Sequence, residues 1–300
     1  DTSNNNVAVG YAALSSDTKG TKNVAVGFEA LKDQNQTTNT DVYNVAVGYH
    51  AGTNVTTGTL NTLIGGLAGD AITSGERNVA VGYNALTTTA YNTVVGDSAG
   101  NKVTTGVNNV LLGALSGDAL TDADHNVAIG RSALGQDTLG SRTIAIGFQA
   151  LAVQNFTTAT NSYNIAIGYN AGVSLTTGTN TTIVGSLAGD ALTDGDFNVA
   201  LGYGSLSSDT RGSRAVAVGY LALQDQNLTT SSNSNNTAVG YAAGTNVTTG
   251  VNNTLIGSEA GEDMTTGISN TAVGVAAMGS ANVTGDSNTA IGAAAMISLS

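Results

Sequence analysis

The chain has 300 residues, a formal net charge of −12, only 10% charged residues, 40 Gly, no Pro and no Cys. This acidic balance without a basic patch argues against nucleic-acid binding, and the absence of cysteine excludes a disulfide framework or a thiolate metal site. No apolar run approaches the ~18 residues of a membrane span, so we expect no membrane insertion in this segment.

A short aliphatic motif that ends in glycine recurs along the whole chain. Counting from this repeat glycine, position −3 is always Val, Ile or Thr, position −1 is Val, Ile or Leu, and position +3 is Ala or Ser. Short runs with β-branched residues, each closed by Gly, predict a strand followed by a turn. The 17 repeat glycines are Gly10, Gly27, Gly48, Gly65, Gly82, Gly96, Gly113, Gly130, Gly147, Gly168, Gly185, Gly202, Gly219, Gly240, Gly257, Gly274 and Gly292.

The spacing of the copies predicts a solenoid. Most intervals between successive repeat glycines equal 17, three equal 21, one equals 14 and one equals 18. We therefore expect an all-β fold, a parallel β-roll or β-solenoid of 17 coils, with the additional residues of the longer copies in loops on one edge. Asn occupies position −4 in 14 copies, which predicts an asparagine ladder along the stack.

A longer unit of four copies is superimposed on the short repeat. Position +4 follows the order Leu-Leu-Gly-Gly, which predicts superunits at about 6–78, 126–198 and 198–270, with a shortened unit at 78–126. Where position +4 is Gly, position +7 is apolar, so we expect the apolar group to be retained farther along the turn. The side chains at position +7 of these copies are Val55, Ile72, Val103, Leu120, Leu175, Leu192, Val247 and Met264.

Positions −2 and +1 change size together. Five copies have a large residue at −2 and a small one or Asp at +1, whereas the other twelve have Ala at −2, nine of them with an aromatic at +1. This exchange predicts that the two side chains share one pocket. Since alternate strand residues share a face, both strand faces are apolar, and the face outside the coil requires a neighbouring sheet or another chain.

The motifs "NVAVG", "NIAIG", "NTAVG" and "NTAIG", with Ala or Ser at position +3, resemble the YadA-like head repeats of trimeric autotransporter adhesins. The longer phrase "NTAVGYAAG" is also similar to phage tail fibres and related bacterial fibre proteins. The resemblance covers essentially all 300 residues, although the copies here are longer than the adhesin repeat. It implies a left-handed parallel β-roll that assembles as a homotrimer.

The expected function is a structural and adhesive fibre segment, a rigid trimeric shaft or head that presents a receptor-binding tip, as in a phage tail fibre. The alternative is a bacterial surface adhesin of the trimeric autotransporter type. Both imply an extracellular location, on a virion or a cell surface, with a cell-surface glycan or protein as receptor. Because the chain starts and stops within the repeat pattern, we expect a fragment of a longer fibre.

Two other classes fit the sequence less well. An ice-binding solenoid needs a regular Thr array, whereas the Thr pairs here lie in loops of unequal length. A glycan-cleaving tailspike needs paired carboxylates, and an Asp that repeats at one turn position does not supply them. We therefore expect no enzyme activity, no catalytic residue and no cofactor.

Weak candidates for calcium ligands occur in two acidic loops. "GDALTDADHN" contains Asp118, Asp122 and Asp124, and "GDALTDGDFN" contains Asp190, Asp194 and Asp196. Carboxylates at this spacing can hold Ca²⁺, but Asp beside Gly more often forms a turn. The two histidines, His50 and His125, are expected in solvated turns. A last group of aromatics is expected either to pack on the next loop or to form a glycan stripe: Tyr43, Tyr91, Phe156, Tyr163 and Phe197.

Overall fold

A computed structural model of the protein describes residues 4–86, 90–279 and 284–296, and within these ranges all regular secondary structure is β. The chain divides into two compact units, Asp1–Thr143 with Asn155–Thr160, and Ile144–Gln154 with Asn161–Ser300. Each unit is a parallel β-solenoid, and the two together contain about 16 turns. Every repeat copy forms a three-residue strand, which confirms the strands expected from the motif.

The strands fall into two classes. The three-residue repeat strands of the first unit are Val7–Val9, Val24–Val26, Val45–Val47, Thr62–Ile64, Val79–Val81, Thr93–Val95, Val110–Leu112 and Val127–Ile129. Those of the second unit are Ile144–Ile146, Ile165–Ile167, Thr182–Val184, Val199–Leu201, Val216–Val218, Thr237–Val239, Thr254–Ile256, Thr271–Val273 and Thr289–Ile291. The two-residue strands are Gly20–Thr21, Thr40–Asp41, Gly140–Ser141, Thr160–Asn161, Gly212–Ser213 and Ser232–Asn233.

Within each unit, successive repeat strands pair in parallel and in register, so equivalent positions lie side by side. Ala46, for example, is opposite Leu63. The additional residues of the longest copies form a second short strand as well as a loop. Ser232–Asn233 pairs in parallel with Gly212–Ser213 of the preceding turn.

The repeat glycine is required by the stacking of the turns. Its φ lies between +121° and +146° in all copies, a region that L-residues with a side chain avoid. A Cβ atom on Gly65 would lie 2.4 Å from the carbonyl oxygen of Gly82 in the next turn. Glycine therefore permits both the backbone conformation and the close approach of adjacent turns.

The asparagine ladder is confirmed, and its main partner is the backbone. The Asn61 backbone N–H donates to Asn44 Oδ1 at 2.9 Å, and Asn44 Nδ2 donates to the Gly58 carbonyl at 2.8 Å. Both asparagines are fully buried. Each amide thus satisfies two buried backbone groups that the strand ladder leaves unpaired.

The ladder is interrupted at Ala215, and a serine substitutes for the missing amide. The backbone N–H of Asn236, which occupies position −4 of the next copy, donates to Ser234 Oγ at 3.4 Å. The first unit contains the corresponding copy, and there the preceding copy does have Asn at −4. In that copy Val42 occupies the position of Ser234. The loss of the amide at Ala215 and the presence of a hydroxyl group at Ser234 are explained together, because one buried N–H needs an acceptor.

The core of each turn is built from four positions. The side chain at −2 is buried in every turn except the first, and the side chain at +3 is buried in every turn except the first and the last. Leu or Met at +4, or the apolar side chain at +7 where +4 is Gly, completes the interior. The apolar side chains at +7 are buried in every such copy, which confirms that the apolar group is retained along the turn. Positions −3 and −1 point outward.

The prediction that positions −2 and +1 share one pocket is wrong. Ala46 is fully buried, whereas Tyr49 of the same copy is 59% exposed on the outside. The large side chain at −2 instead fills the space above glycines at +4. A Cβ atom on Gly261 would lie 2.7 Å from Leu255 Cδ2, and one on Gly244 would lie 2.6 Å from Leu255 Cδ1. All five copies with a large side chain at −2 have Gly at +4, so the exchange of volume inside the coil is between −2 and +4.

Candidate functional site

The outward face, defined as the −3 and −1 side chains of the repeat strands, is uncharged and mostly apolar. It consists of Val, Ile, Leu and Thr, and no repeat strand of the described residues contains a charged residue. Many of its aliphatic side chains are half-exposed, with Leu201 at 44% and Ile256 at 40%. Soluble monomers rarely expose apolar surface that continues over many strands, so this face is a candidate interaction surface.

A row of aromatic side chains, the +1 stack, follows the strands at the same end of each turn. In the second unit, the ring centroids of Tyr203 and Tyr220 are 5.6 Å apart, and those of Tyr220 and Tyr241 are 5.3 Å apart. Offset stacking at this distance stabilises a pair of rings beyond their burial. The rings remain exposed to solvent. The stack stops where position +1 carries a small side chain such as Ser258. Such small side chains occur in copies that have a large, inward-facing side chain at position −2.

The carboxylates of the first acidic loop bind separate groups of the chain itself. Asp122 Oδ1 accepts a hydrogen bond from Thr105 Oγ1 at 2.6 Å, and Asp124 Oδ1 accepts one from the Val107 N–H at 2.8 Å. Asp118 lies half-buried at the start of the same loop. These contacts join adjacent turns and leave the three carboxylates with different surroundings.

In the second acidic loop the last Asp makes the equivalent contact, whereas the middle one bonds to a different part of the chain. Asp196 Oδ1 accepts from the Thr179 N–H at 2.7 Å, and Asp194 Oδ2 accepts from Ser231 Oγ at 3.2 Å, while Asp190 is half-buried. Across the described residues, no group of three or more His, Asp or Glu side chains is placed to hold a metal ion. The predicted candidates that bond to neighbouring turns therefore act as turn-stabilising acceptors in this structure.

The histidines have different environments. His125 is exposed on a turn, as expected. His50 is half-buried, because its ring lies 4.1 Å from the ring of Tyr49 and its Nδ1 lies 3.7 Å from a carboxylate oxygen of Glu29. It belongs to the edge of the +1 stack of the first unit.

The remaining aromatics form no continuous stripe in the part of the chain that the structure describes. Phe156 is buried, and Tyr163 and Phe197 are about half-exposed. The Lys22 ammonium lies 4.9 Å from the centre of the Tyr43 ring, and Arg77 lies 5.5 Å from that of Tyr91. Two of the five rings thus pack against a cation of the preceding turn.

Burial raises the pKa of several carboxyl groups. Asp70, Asp118, Asp190 and Glu262 occupy position +5 of four copies, and desolvation holds the pKa of each above its usual value. The pKa of Asp209 is raised by burial as well, although hydrogen bonds from Gln226 and backbone N–H groups partly oppose the effect. Protonation of these groups is therefore easier in the folded state than in the unfolded chain.

We expect the protein to become more stable as the pH falls from about 7 to about 4, the unfolded value of a carboxyl group. A raised folded-state pKa contributes stability that is fully present below the unfolded value of about 4 and is lost as the pH rises through the folded value. Protonation also reduces the repulsion from the net charge of −12. Urea midpoints at the two pH values measure the effect, and Asp118→Asn should reduce it. A midpoint that falls as the pH is lowered would contradict the expectation.

The described residues contain no helix long and apolar enough to span a membrane. Comparison with family models, with curated proteins and with solved structures found no match to this chain.

Proposed function

We propose that this chain is a structural segment of an extracellular fibre, in which three copies associate through their outward faces. The observation that supports this proposal is an apolar, uncharged face that is present on every repeat strand of the described residues. Burying such a face stabilises an assembly by about 25 cal/mol per Å² of apolar surface. The segment has a mechanical and attachment role and carries out no reaction.

The period of the outward face favours another copy of the same chain as its partner. Equivalent side chains recur at the strand spacing of about 4.8 Å, because the turns are stacked in register. A partner that matches this surface at every turn must have the same spacing, and a second solenoid of the same sequence has it. A closed symmetric ring of copies then leaves no outward face uncovered.

The number of copies and the biological setting come from the resemblance of the motifs to the YadA-like repeats. We infer a left-handed coil with one turn for each of the 17 copies and a homotrimer, in a phage tail fibre that carries a receptor-binding tip. A surface adhesin of the trimeric autotransporter type would use the same assembly. Three linked copies would also present three equivalent attachment sites, which increases avidity.

Light scattering combined with size-exclusion chromatography tests the assembly. At micromolar concentration we expect a particle of three times the 29.7 kDa of one chain. Leu201→Lys combined with Ile256→Lys places two charges in the outward face and should yield monomers, because a buried unpaired charge is costly.

The matched control places the same two charges elsewhere. Thr177 and Thr229 are exposed in turns, so Thr177→Lys combined with Thr229→Lys should leave the mass of the particle unchanged. A wild-type chain that remains monomeric at these concentrations would exclude the proposed assembly.

A further inference from the structure

Gly204 opens a cleft on the turn after the strand Val199–Leu201. It is the only Gly at position +2 among the 17 copies, and in the turns on either side this position carries Leu187 and Leu221. A cavity of about 180 Å³ lies at Gly204 and is lined by these two leucines. The cleft lies within the second unit, on the turns and not on the outward face of the strands.

The wall of the cleft contains a carboxylate with an unsatisfied oxygen. Asp190 Oδ1 is buried and has no side-chain or backbone partner at hydrogen-bond geometry among the described residues, although the nearby N–H groups of Asp190 and Ala191 partly oppose the rise in the pKa of this carboxyl group. Buried polar atoms are nearly always paired in folded proteins, and leaving one unpaired is costly. The carboxylate of Asp190 also lines the cleft, so a ligand that donates an O–H or N–H group to the part of it that faces the cleft would give it a further hydrogen-bond partner.

The other walls supply an aromatic ring and two polar side chains. Tyr203 lines one side, and Ser207 and Gln224 line the rest together with the leucines. The ring of Tyr203 is held by stacking on Tyr220. An apolar ring face beside an acceptor carboxylate, a hydroxyl and an amide provides complementary contacts for a ligand with one apolar face and several hydroxyl groups.

No other described turn of the chain combines these features. The carboxylates equivalent to Asp190 are Asp70, Asp118 and Glu262, and the next turn after each has a side chain at position +2, namely Asn84, Ser132 and Ala276. The cleft is therefore a local departure from the repeat and not a consequence of it.

We propose that this cleft binds a single hexose unit, neutral or amino-substituted, with a hydroxyl or amino group donating to Asp190 and the apolar face of the sugar on Tyr203. The size of the cavity matches one sugar ring. Acidic sugars are rejected, because their carboxylate would face Asp190 in a chain of net charge −12. The site specifies a ligand class for the attachment role and so rests on the proposed function, but it is formed by one chain and does not depend on the assembly.

Saturation-transfer NMR tests the site with methyl α-glucoside, methyl α-galactoside, methyl α-mannoside, glucosamine and N-acetylneuraminic acid as probes. We expect at least one neutral or amino sugar to bind with a Kd of about 1 mM, as is usual for a small ligand with few contacts, and N-acetylneuraminic acid not to bind. Failure of all four neutral and amino sugars, or binding of N-acetylneuraminic acid alone, would overturn the proposal.

A variant that fills the cleft separates binding from folding. Gly204→Asn should weaken binding at least tenfold. The fold should tolerate the change, because Asn170 occupies position +2 of another copy with φ +53°, and the next copy there also has a leucine at +2, Leu187. The atom nearest to the added Cβ is the flexible end of Leu221, which can move aside. Asp190→Asn should weaken binding without changing the shape of the cleft. Unchanged affinity in Gly204→Asn, with an unchanged thermal midpoint, would exclude this site.

The same titrations on the Leu201→Lys, Ile256→Lys variant keep the two proposals distinguishable. Sugar binding should persist in that variant even if it is monomeric. Loss of assembly with retained binding supports a site within one chain, whereas loss of binding in the folded monomer would show that the cleft needs a neighbouring copy and would overturn the single-chain site.

Discussion

Replacing Gly65 by alanine is expected to lower the free energy of unfolding by about 2–6 kcal/mol. Two terms contribute: about 1–3 kcal/mol for a non-glycine residue in a sparsely allowed backbone region, and about 1–3 kcal/mol for overpacking. Gly65 has φ +132°, and its added Cβ would lie 2.4 Å from the Gly82 carbonyl oxygen. Since that oxygen belongs to the backbone of the next turn, the clash can be relieved only by separating the two turns.

The neighbouring glycine provides the control. Gly66 has no left-handed φ, and the closest atom to its added Cβ is a ring carbon of Tyr83 at 3.5 Å. Gly66→Ala should therefore change the free energy of unfolding by less than about 0.5 kcal/mol. Urea unfolding followed by circular dichroism measures both variants. Equal stability of Gly65→Ala and the wild type would show that adjacent turns are not held by close backbone contact.

Replacing Leu255 by alanine is expected to cost about 2–5 kcal/mol, the range for removing a fully buried leucine from a packed core. Leu255 is fully buried, and its two Cδ atoms lie over Gly244 and Gly261. Gly261→Ala should cost about 1–3 kcal/mol through the contact of its Cβ with Leu255 Cδ2, together with a smaller term for its left-handed backbone. Combined, the two changes should cost about 1–3 kcal/mol less than the sum of the single changes.

This coupling distinguishes the two accounts of the size exchange. If position −2 shared a pocket with position +1, then Ser258→Tyr would clash with Leu255 and destabilise the protein. In the structure position +1 faces outward, so Ser258→Tyr should be nearly neutral and should extend the stack beyond Tyr241. Additive effects of Leu255→Ala and Gly261→Ala would contradict the packing described here.

Local features of the fold follow from the sequence, because each depends on one residue type at one position. β-Branched residues at −3 and Gly at 0 predict the strands and turns, and Asn at −4 predicts the ladder. The alternation of side chains in a strand shows that both faces are apolar, but not which one is inside. That choice depends on the turn, which places Tyr49 outside while Ala46 points inward.

The cleft beside Asp190 could be found only in part from the sequence. Gly204 is distinguishable, because no other copy has Gly at position +2. The unsatisfied oxygen of Asp190 cannot be found from the sequence. An identical "GDAL" segment with Asp118 occurs in the first unit, and the turn after it has no Gly at position +2. Hydrogen bonding between turns depends on residues of different copies, and a motif within one copy does not contain them.

The in-register stacking of equivalent turns has a genetic consequence. Since each turn contacts mainly the turn before and the turn after it, unequal recombination between similar copies can add or remove a whole copy and preserve the remaining contacts. The short interval from Gly82 to Gly96 and the long one from Gly219 to Gly240 show that the loop between two strands tolerates changes in length as well. A lineage that carries this sequence can therefore lengthen or shorten its solenoid in single mutational events, without evolving a new core for each length.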